Sequence, residues 1–312
     1  MKTSISKIQA GVMILGWLVI TSNTFAQEPQ AESEFSWEII RVIDAQETPS
    51  GILQNISAID LDTEGNLYIL DSGRNRLLKY SSSGIFIKET GGFGKGPEQF
   101  NDPRDVDAHL TLNIFVADFN NNRIIRYDSN LNFLNDFIPD FESPFYFEMP
   151  LSVAVNGQYD LFILEDLNKR IVKFDRFNQP LAAFGKASEN LGQLLGPYQL
   201  ALGSKNEIYV SDPLNKSIQV FDFLGNYLRE IVHPDFVEPR GIYISPQGQL
   251  LVADPKGQKI YFYDSSHKIF DVIDVRNFNI VPLDIASWNP RMDKNTVLYV
   301  ASARHCLVMT RK

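Results

Sequence analysis

The sequence predicts an all-β chain: a six-bladed β-propeller of four-stranded antiparallel blades, closed by an N-terminal strand that pairs with the last blade. Three observations lead to this fold class. A segment of roughly 45 residues recurs six times between residues 56 and 312. Apolar and polar residues alternate within the copies, and helical spacing is absent over any useful length.

The repeat is clearest at the centre of each copy, as in NLYILDSGRNRLLKY, NIFVADFNNNRIIRY and EIYVSDPLNKSIQVF. An acidic residue marks the same position in five copies, and Ser302 takes that position in the sixth. The acidic series is Asp71, Asp118, Glu165, Asp212 and Asp254. The successive steps are 47, 47, 47, 42 and 48 residues, a period typical of propeller blades and too long for leucine-rich or ankyrin repeats.

Each copy contains the pattern of a short antiparallel sheet. In the second copy Ile124, Arg126 and Asp128 alternate with Ile125 and Tyr127, which is the period-two signature of a strand. Six separate sheets of three or four strands leave unpaired edges unless they are arranged radially, which is how propellers protect their edges. We therefore expect a closed ring.

The two ends of the chain indicate how the ring closes. The sixth copy ends just after its third strand, which contains LVMT, so its blade lacks one strand. The segment WEIIRVID, residues 37–44, resembles the outer strand KIFDVID of the fifth copy. We expect it to supply the missing strand and thereby bring both ends of the chain into one sheet.

The first residues have the pattern of a secretory signal. Lys2 and Lys7 precede an apolar run over residues 8–20, and Thr24, Phe25 and Ala26 form a small-x-small cleavage site. We predict a signal peptide over 1–26, a short linker over 27–34 and the propeller over 35–312. The mature protein is then periplasmic or extracellular, with no membrane insertion after cleavage. Cys306 is the only cysteine, so no disulfide forms within the chain.

Charge narrows the class of partner. The whole chain carries a net charge of −9, and cleavage of the signal makes the charge two units more negative. A net-negative surface does not favour nucleic acid, so no nucleic-acid partner is expected. We expect a monomer whose ligand is a protein, a peptide or a carbohydrate.

The first two copies resemble the NHL repeat. The runs that carry the resemblance are GGFGKGPEQFNDPRDVDA at residues 91–108 and NIFVADFNNNRIIRYD at 113–128. They contain a Gly-Phe-Gly loop, a Phe and a Pro before the first strand, and a later V-x-D and N-x-R-I centre. The resemblance covers nearly all of the mature chain, weakening toward the last copy, and implies a six-bladed propeller. It implies no single activity, because similar propellers include binding modules, sensors, lyases and hydrolases.

The titratable residues show no catalytic or metal-binding constellation. A carboxylate repeated in five blades is better explained by turn N–H groups or by the Arg that follows it, as in Arg76, than by an active site. The four histidines occupy non-equivalent places in the repeat, which does not support a zinc site. We expect no catalytic residues, no metal and no cofactor.

One ring of positions departs from the repeat. The residues that begin the six first strands surround one mouth of the central channel in a propeller, and here they include Arg104, Tyr198 and Arg240. Two guanidinium groups and a phenol could bind an anionic or sugar-like group. The alternative is that both arginines pair with local carboxylates such as Asp105, Asp107 or Glu238.

A blade-connecting loop on the same face, FESPFYFE at 141–148, adds Phe145 and Tyr146 as candidates for ligand contact. Packing between blades is the alternative for these rings. The leading hypothesis is an exported, non-catalytic propeller that binds its ligand on the loop and channel-mouth face. The alternatives are a metal-dependent lyase or lactonase-like hydrolase that uses the channel, and an envelope scaffold.

Overall fold

The computed structural model describes residues 36–110, 112–186, 191–288 and 296–312. The expected signal peptide and linker lie outside these residues. Six four-stranded antiparallel sheets are arranged as the blades of a propeller, which confirms the predicted fold class. No helix of the described part of the chain is long and apolar enough to span a membrane.

The strands follow one another in the order of the sequence repeat. The first is β1 (Trp37–Ile43). Blades 1 and 2 contain β2 (Ile56–Leu61), β3 (Leu67–Asp71), β4 (Arg76–Tyr80), β5 (Phe86–Gly91), β6 (Pro103–Asp107), β7 (Asn113–Asp118), β8 (Arg123–Asp128) and β9 (Phe133–Phe137). Blades 3 and 4 contain β10 (Pro150–Val155), β11 (Leu161–Glu165), β12 (Arg170–Phe174), β13 (Pro180–Phe184), β14 (Leu200–Leu202), β15 (Ile208–Asp212), β16 (Ser217–Phe221) and β17 (Tyr227–Val232). Blades 5 and 6 contain β18 (Ile242–Ile244), β19 (Leu250–Asp254), β20 (Lys259–Tyr263), β21 (Ile269–Asp274), β22 (Asp284–Trp288), β23 (Val297–Ser302) and β24 (His305–Arg311). Two short 3-10 helices span Phe119–Asn121 and Val275–Phe278.

The ring closes through the N-terminal strand, as predicted. The sixth sheet has the order β1-β24-β23-β22, with Trp37 opposite Arg311 and Ile43 opposite Cys306. A bulge between Ile39 and Arg41 interrupts the register. The outer strand of the last blade thus comes from the opposite end of the chain.

The core is divided among the blade interfaces. Second and third strands such as β3 and β4 are buried along their whole length, because a neighbouring blade covers each face of the sheet. Strands covered on both faces are apolar without interruption, which explains runs such as LYIL in β3. Outer strands such as β17 alternate between buried and exposed residues, because only part of their surface is covered.

The repeated carboxylate holds a blade-connecting loop in place in four blades, through Asp71, Asp118, Asp212 and Asp254. Asp118 accepts hydrogen bonds from the Asn101 main-chain N–H at 2.8 Å and from Arg123 Nε at 2.9 Å. Asp212 accepts the N–H groups of Leu195 and Gly196 at 2.7 and 2.9 Å. These bonds confirm the structural interpretation of the series, in which the side chain satisfies loop N–H groups that no strand pairs.

A second set of hydrogen bonds links the inner strands around the channel. Each inner strand is the edge of its own sheet, so some of its N–H groups lack a ladder partner. A polar side chain of one blade accepts such an N–H from the next blade along the ring. The bonds are Asp284 with Ile59 N–H, Asp60 with Ala108, Asp105 with Val153, Asp107 with Val155, Ser152 with Leu200 and Gln199 with Ile242.

Candidate functional site

The loop face of the propeller consists of the six blade-connecting loops and the turns between second and third strands. Here the inner strands begin, and Arg104, Tyr198 and Arg240 lie around the channel mouth. The Arg240 guanidinium carbon is 5.1 Å from the centroid of the Tyr198 ring. Burial raises the pKa of Tyr198, while the positive charges of Arg240 and Arg104 oppose that rise. The three side chains therefore share one electrostatic environment.

Both arginines pair with nearby carboxylates, which was the alternative to ligand binding that the sequence left open. Arg240 binds Glu238, the partner named from the sequence, whereas Arg104 binds Asp102 at 2.5 Å in place of Asp105 or Asp107. The Arg104 side chain is still 41% exposed and that of Arg240 32%. Arg240 Nε is buried and has no hydrogen-bond partner among the described residues. The mouth thus retains donor capacity after its local ion pairs are formed.

Phe145 and Tyr146 take part in packing between blades 2 and 3. Phe145 lies half-buried against the apolar cluster that contains Phe147. The Tyr146 carbonyl accepts a 2.6 Å hydrogen bond from Arg170, whose guanidinium carbon is 5.4 Å from the Tyr146 ring centroid. The neighbouring Phe141 is the ring of this loop that faces solvent, at 55% exposure.

Exposed apolar side chains are concentrated on the loop face. Among the described residues, each of the six blade-connecting loops contributes at least one, and two turns add one each. The eleven residues of this apolar ring are Ile52, Phe93, Ile138, Phe141, Met149, Leu167, Leu191, Leu195, Leu214, Val237 and Val281. The opposite face, which we term the turn face, carries five in the described part of the chain: Ile85, Leu112, Tyr159, Phe177 and Leu224.

A cavity of about 830 Å³ opens at the turn face, where the inner strands end. We term it the channel cavity. Its floor includes Asp105 and Gln199, and its walls include Asp60, His109, Tyr243 and Trp288. The site residues predicted from the sequence lie at the other mouth of the channel, and His109 was not among them. The available signal was the period-two spacing of Asp105, Asp107 and His109, which brings all three to one side of the chain.

Two inner strands bring titratable groups together in this cavity. His109 Nδ1 is 2.6 Å from Asp107 Oδ1. Burial acts to lower the pKa of His109, but the Asp107 carboxylate outweighs burial and raises that pKa to about 9. Burial and the nearby Asp107 charge raise the pKa of Asp60 to about 7. At neutral pH the cavity therefore contains an imidazolium paired with a carboxylate, beside a carboxyl group close to its midpoint.

The cavity floor is a buried hydrogen-bonded cluster. Asp105 accepts bonds from the Ser152 hydroxyl, the Val153 N–H at 3.1 Å and Gln199 Nε2 at 3.3 Å. Burial nevertheless raises the pKa of Asp105 to about 7. Across the described residues, no three side chains of His, Cys, Asp or Glu converge as a metal-ligand set.

Comparisons with known proteins agree on the fold. The sequence profile of a family described as 6-bladed beta-propeller, DUF5128, matches residues 19–175. No curated protein matches the sequence. Among solved structures, the chain is similar to streptogramin B lyase, with 15% identity, a TM-score of 0.60 and coverage of 89% of this chain and 98% of that one.

It is also similar to a catalytically inactive virginiamycin B lyase from Staphylococcus aureus with quinupristin. Here the identity is 16%, the TM-score 0.59, and the coverage 82% of this chain and 80% of that one. At such identities the similarity concerns the fold alone. The family match covers half of the sequence and extends through β12 of the third blade, so the chain belongs to the 6-bladed beta-propeller family DUF5128.

Proposed function

We propose that the protein is an exported, non-catalytic binding module that docks a partner protein on its loop face. The observation that carries the proposal is the apolar ring, to which every blade-connecting loop contributes. Apolar side chains that surround one mouth, and that are fewer on the opposite face, are typical of a protein interaction surface. The NHL-type pattern of the first two blades supports the proposal, because similar propellers include binding modules.

The polar groups at the centre of the ring fit the same function. Arg104 and Arg240 keep partly exposed guanidinium groups, and Arg240 Nε has no partner in the described part of the chain. Arginine and aromatic side chains inside an apolar rim are frequent determinants of protein affinity. A wide ring of loops also favours a protein over a small carbohydrate, which would need a concave site.

The test uses paired aspartate substitutions on the two faces. Phe93 and Leu214 on the loop face are each 72% exposed, and Phe177 and Leu224 on the turn face are 68% and 73% exposed. Phe93→Asp with Leu214→Asp places two charges in the proposed interface. Phe177→Asp with Leu224→Asp makes the same chemical change at equal exposure on the opposite face.

The partner is isolated by cross-linking to the wild-type protein in extracts of the source cells, and its affinity for each purified variant is then measured. Burying two unpaired charges in place of apolar contacts costs at least about 2 kcal/mol, so the loop-face pair is expected to weaken binding roughly 30-fold or more. The turn-face pair is expected to bind like the wild type. Equal binding by both pairs, or a loss confined to the turn-face pair, contradicts the proposal.

A further inference from the structure

The channel cavity has a net negative charge. Its described lining includes four carboxylates and one histidine, and it contains no lysine or arginine. The carboxylates belong to Asp60, Asp62, Asp105 and Asp107. His109 pairs with Asp107, and the acidic groups still outnumber this one basic group, so the cavity favours a positively charged guest over an anion.

Three of the four carboxylates already have hydrogen-bond or ion-pair partners within the protein. Asp62 accepts the N–H groups of Glu64 and Asn66 at 2.9 Å, within its own turn. Asp105 and Asp107 bind N–H groups of the third blade, and Asp107 also pairs with His109.

Asp60 differs from the other three carboxylates. Its Oδ2 accepts the Ala108 N–H at 2.7 Å, and the Leu61 N–H of its own strand is a second main-chain donor to the carboxyl, whereas no described side chain donates to it. Burial and Asp107 raise the pKa of Asp60 to about 7, although the two main-chain N–H groups and His109 act to lower it. A carboxylate offers about four lone-pair sites, so two main-chain donors leave Asp60 able to accept hydrogen bonds from a guest.

Aromatic rings line the same cavity as the Asp60 carboxyl. Tyr243 lines the same cavity, and the Asp60 charge contributes to the raised pKa of its phenol. Trp288 lines the cavity from the sixth blade. A Cβ at Gly65 would lie 3.0 Å from the indole ring, so that glycine allows the first blade to support it closely. Such rings bind both cations and apolar groups.

We propose that the channel cavity binds an organic cation, whose ammonium or guanidinium group meets Asp60 while an apolar body lies against Trp288 and Tyr243. The volume of about 830 Å³ falls within the range of small-molecule sites. A single carboxylate that no side chain engages suits a monovalent organic cation, whereas a divalent metal prefers several oxygen ligands. This site is independent of the protein docking proposed for the loop face.

The probes are three compounds of matched shape: phenethylammonium, the neutral 2-phenylethanol and the anionic phenylacetate. Binding is followed by calorimetry and by fluorescence of Trp288, with Trp288→Phe as the control for the optical signal. We expect saturable binding of phenethylammonium and at least about tenfold weaker binding of the alcohol, since a charged hydrogen bond is lost. Phenylacetate is expected not to bind.

Two substitutions test whether the Asp60 carboxylate is the group that binds the ammonium. Asp60→Asn retains an acceptor for the Ala108 N–H and should weaken phenethylammonium at least about tenfold while leaving 2-phenylethanol unchanged. Asp175→Asn is the matched control. This half-buried residue lies in a turn outside the cavity lining, where Asp175 Oδ1 accepts two N–H groups at 2.8 Å and Oδ2 has no described partner.

Circular dichroism and melting temperature confirm that each variant is folded. If Asp60→Asn is unstable, Trp288→Leu is the second variant that is expected to lose phenethylammonium binding. Equal affinity for ammonium and alcohol, unchanged binding by Asp60→Asn, or no saturable binding of phenethylammonium overturns the proposal. Displacement of the ammonium probe by millimolar Mg²⁺ would also overturn it, because the site would then be a metal site.

Discussion

Trp37→Ala is the substitution that tests how the ring is held closed. Trp37 begins β1, is 8% exposed and stacks on Phe262 of blade 5, with ring centroids 5.8 Å apart. It also lies 5.3 Å from the Arg311 guanidinium carbon. One side chain thus joins the N-terminal strand, the last strand and the neighbouring blade.

The expected cost follows from these contacts. Truncating a buried Trp to Ala destabilises proteins by about 3–5 kcal/mol. Trp37 Nε1 has no hydrogen-bond partner among the described residues, so no polar partner is orphaned by its removal. Arg311 keeps its 3.1 Å ion pair with Asp271. The loss therefore reflects apolar contact, and we expect about 3–5 kcal/mol, or on the order of 10 °C in Tm.

Urea denaturation followed by far-ultraviolet circular dichroism measures this cost, with Ile40→Ala as control. Ile40 lies in the same strand but is 55% exposed, so its truncation should change the free energy of unfolding by less than about 0.5 kcal/mol. Both variants should unfold in one transition, because a closed ring has no free blade to unfold first. A Trp37→Ala protein as stable as the wild type, or equal losses in both variants, would refute the assigned role of β1.

The remaining predictions concern the buried charges. Burial raises the pKa of Asp105 to about 7, so the folded state retains a proton that the unfolded chain releases near pH 4. This group therefore lowers stability as pH rises from about 4 to about 7, by a few kcal/mol, and has no further effect above that range. Urea midpoints at about pH 5 and about pH 8 should differ less in Asp105→Asn than in the wild type, and an unchanged difference contradicts this assignment. Arg123→Ala leaves the Asp118 carboxylate buried without its 2.9 Å partner and should cost about 3–5 kcal/mol in thermal or urea unfolding, whereas the solvent-exposed Arg176→Ala should cost less than about 0.5 kcal/mol.

Several features of the fold were predictable from short stretches of sequence. The repeat spacing indicated six blades, and the missing strand after LVMT indicated closure by residues 37–44. The structural role of Asp118 followed from its recurrence beside an Arg, because a turn that is repeated in every blade needs the same acceptor each time. The role of Asp118 depends on neighbours within one repeat, and the number of blades and the closing strand follow from the number of strands in the sequence.

The candidate sites were predicted less completely. The sequence predicted Arg104, Tyr198 and Arg240 at one mouth of the channel, and the structure shows that Arg240 contacts the Tyr198 ring. It named Glu238 as a partner of Arg240 but missed Asp102 as the partner of Arg104. The choice among nearby carboxylates depends on side-chain direction, which a linear pattern does not specify.

By itself, the sequence determined the blade, its six repetitions and the strand that closes the ring, because period-two burial and turn chemistry act over a few residues. Only the tertiary structure decided the channel cavity. Asp60, His109 and Trp288 are separated by 49 and 179 residues and line one space only after six inner strands have been arranged around a common axis. Closure of the ring also decides which carboxylates bind an N–H of the next blade, because the donor belongs to a different repeat, as Ala108 does for Asp60.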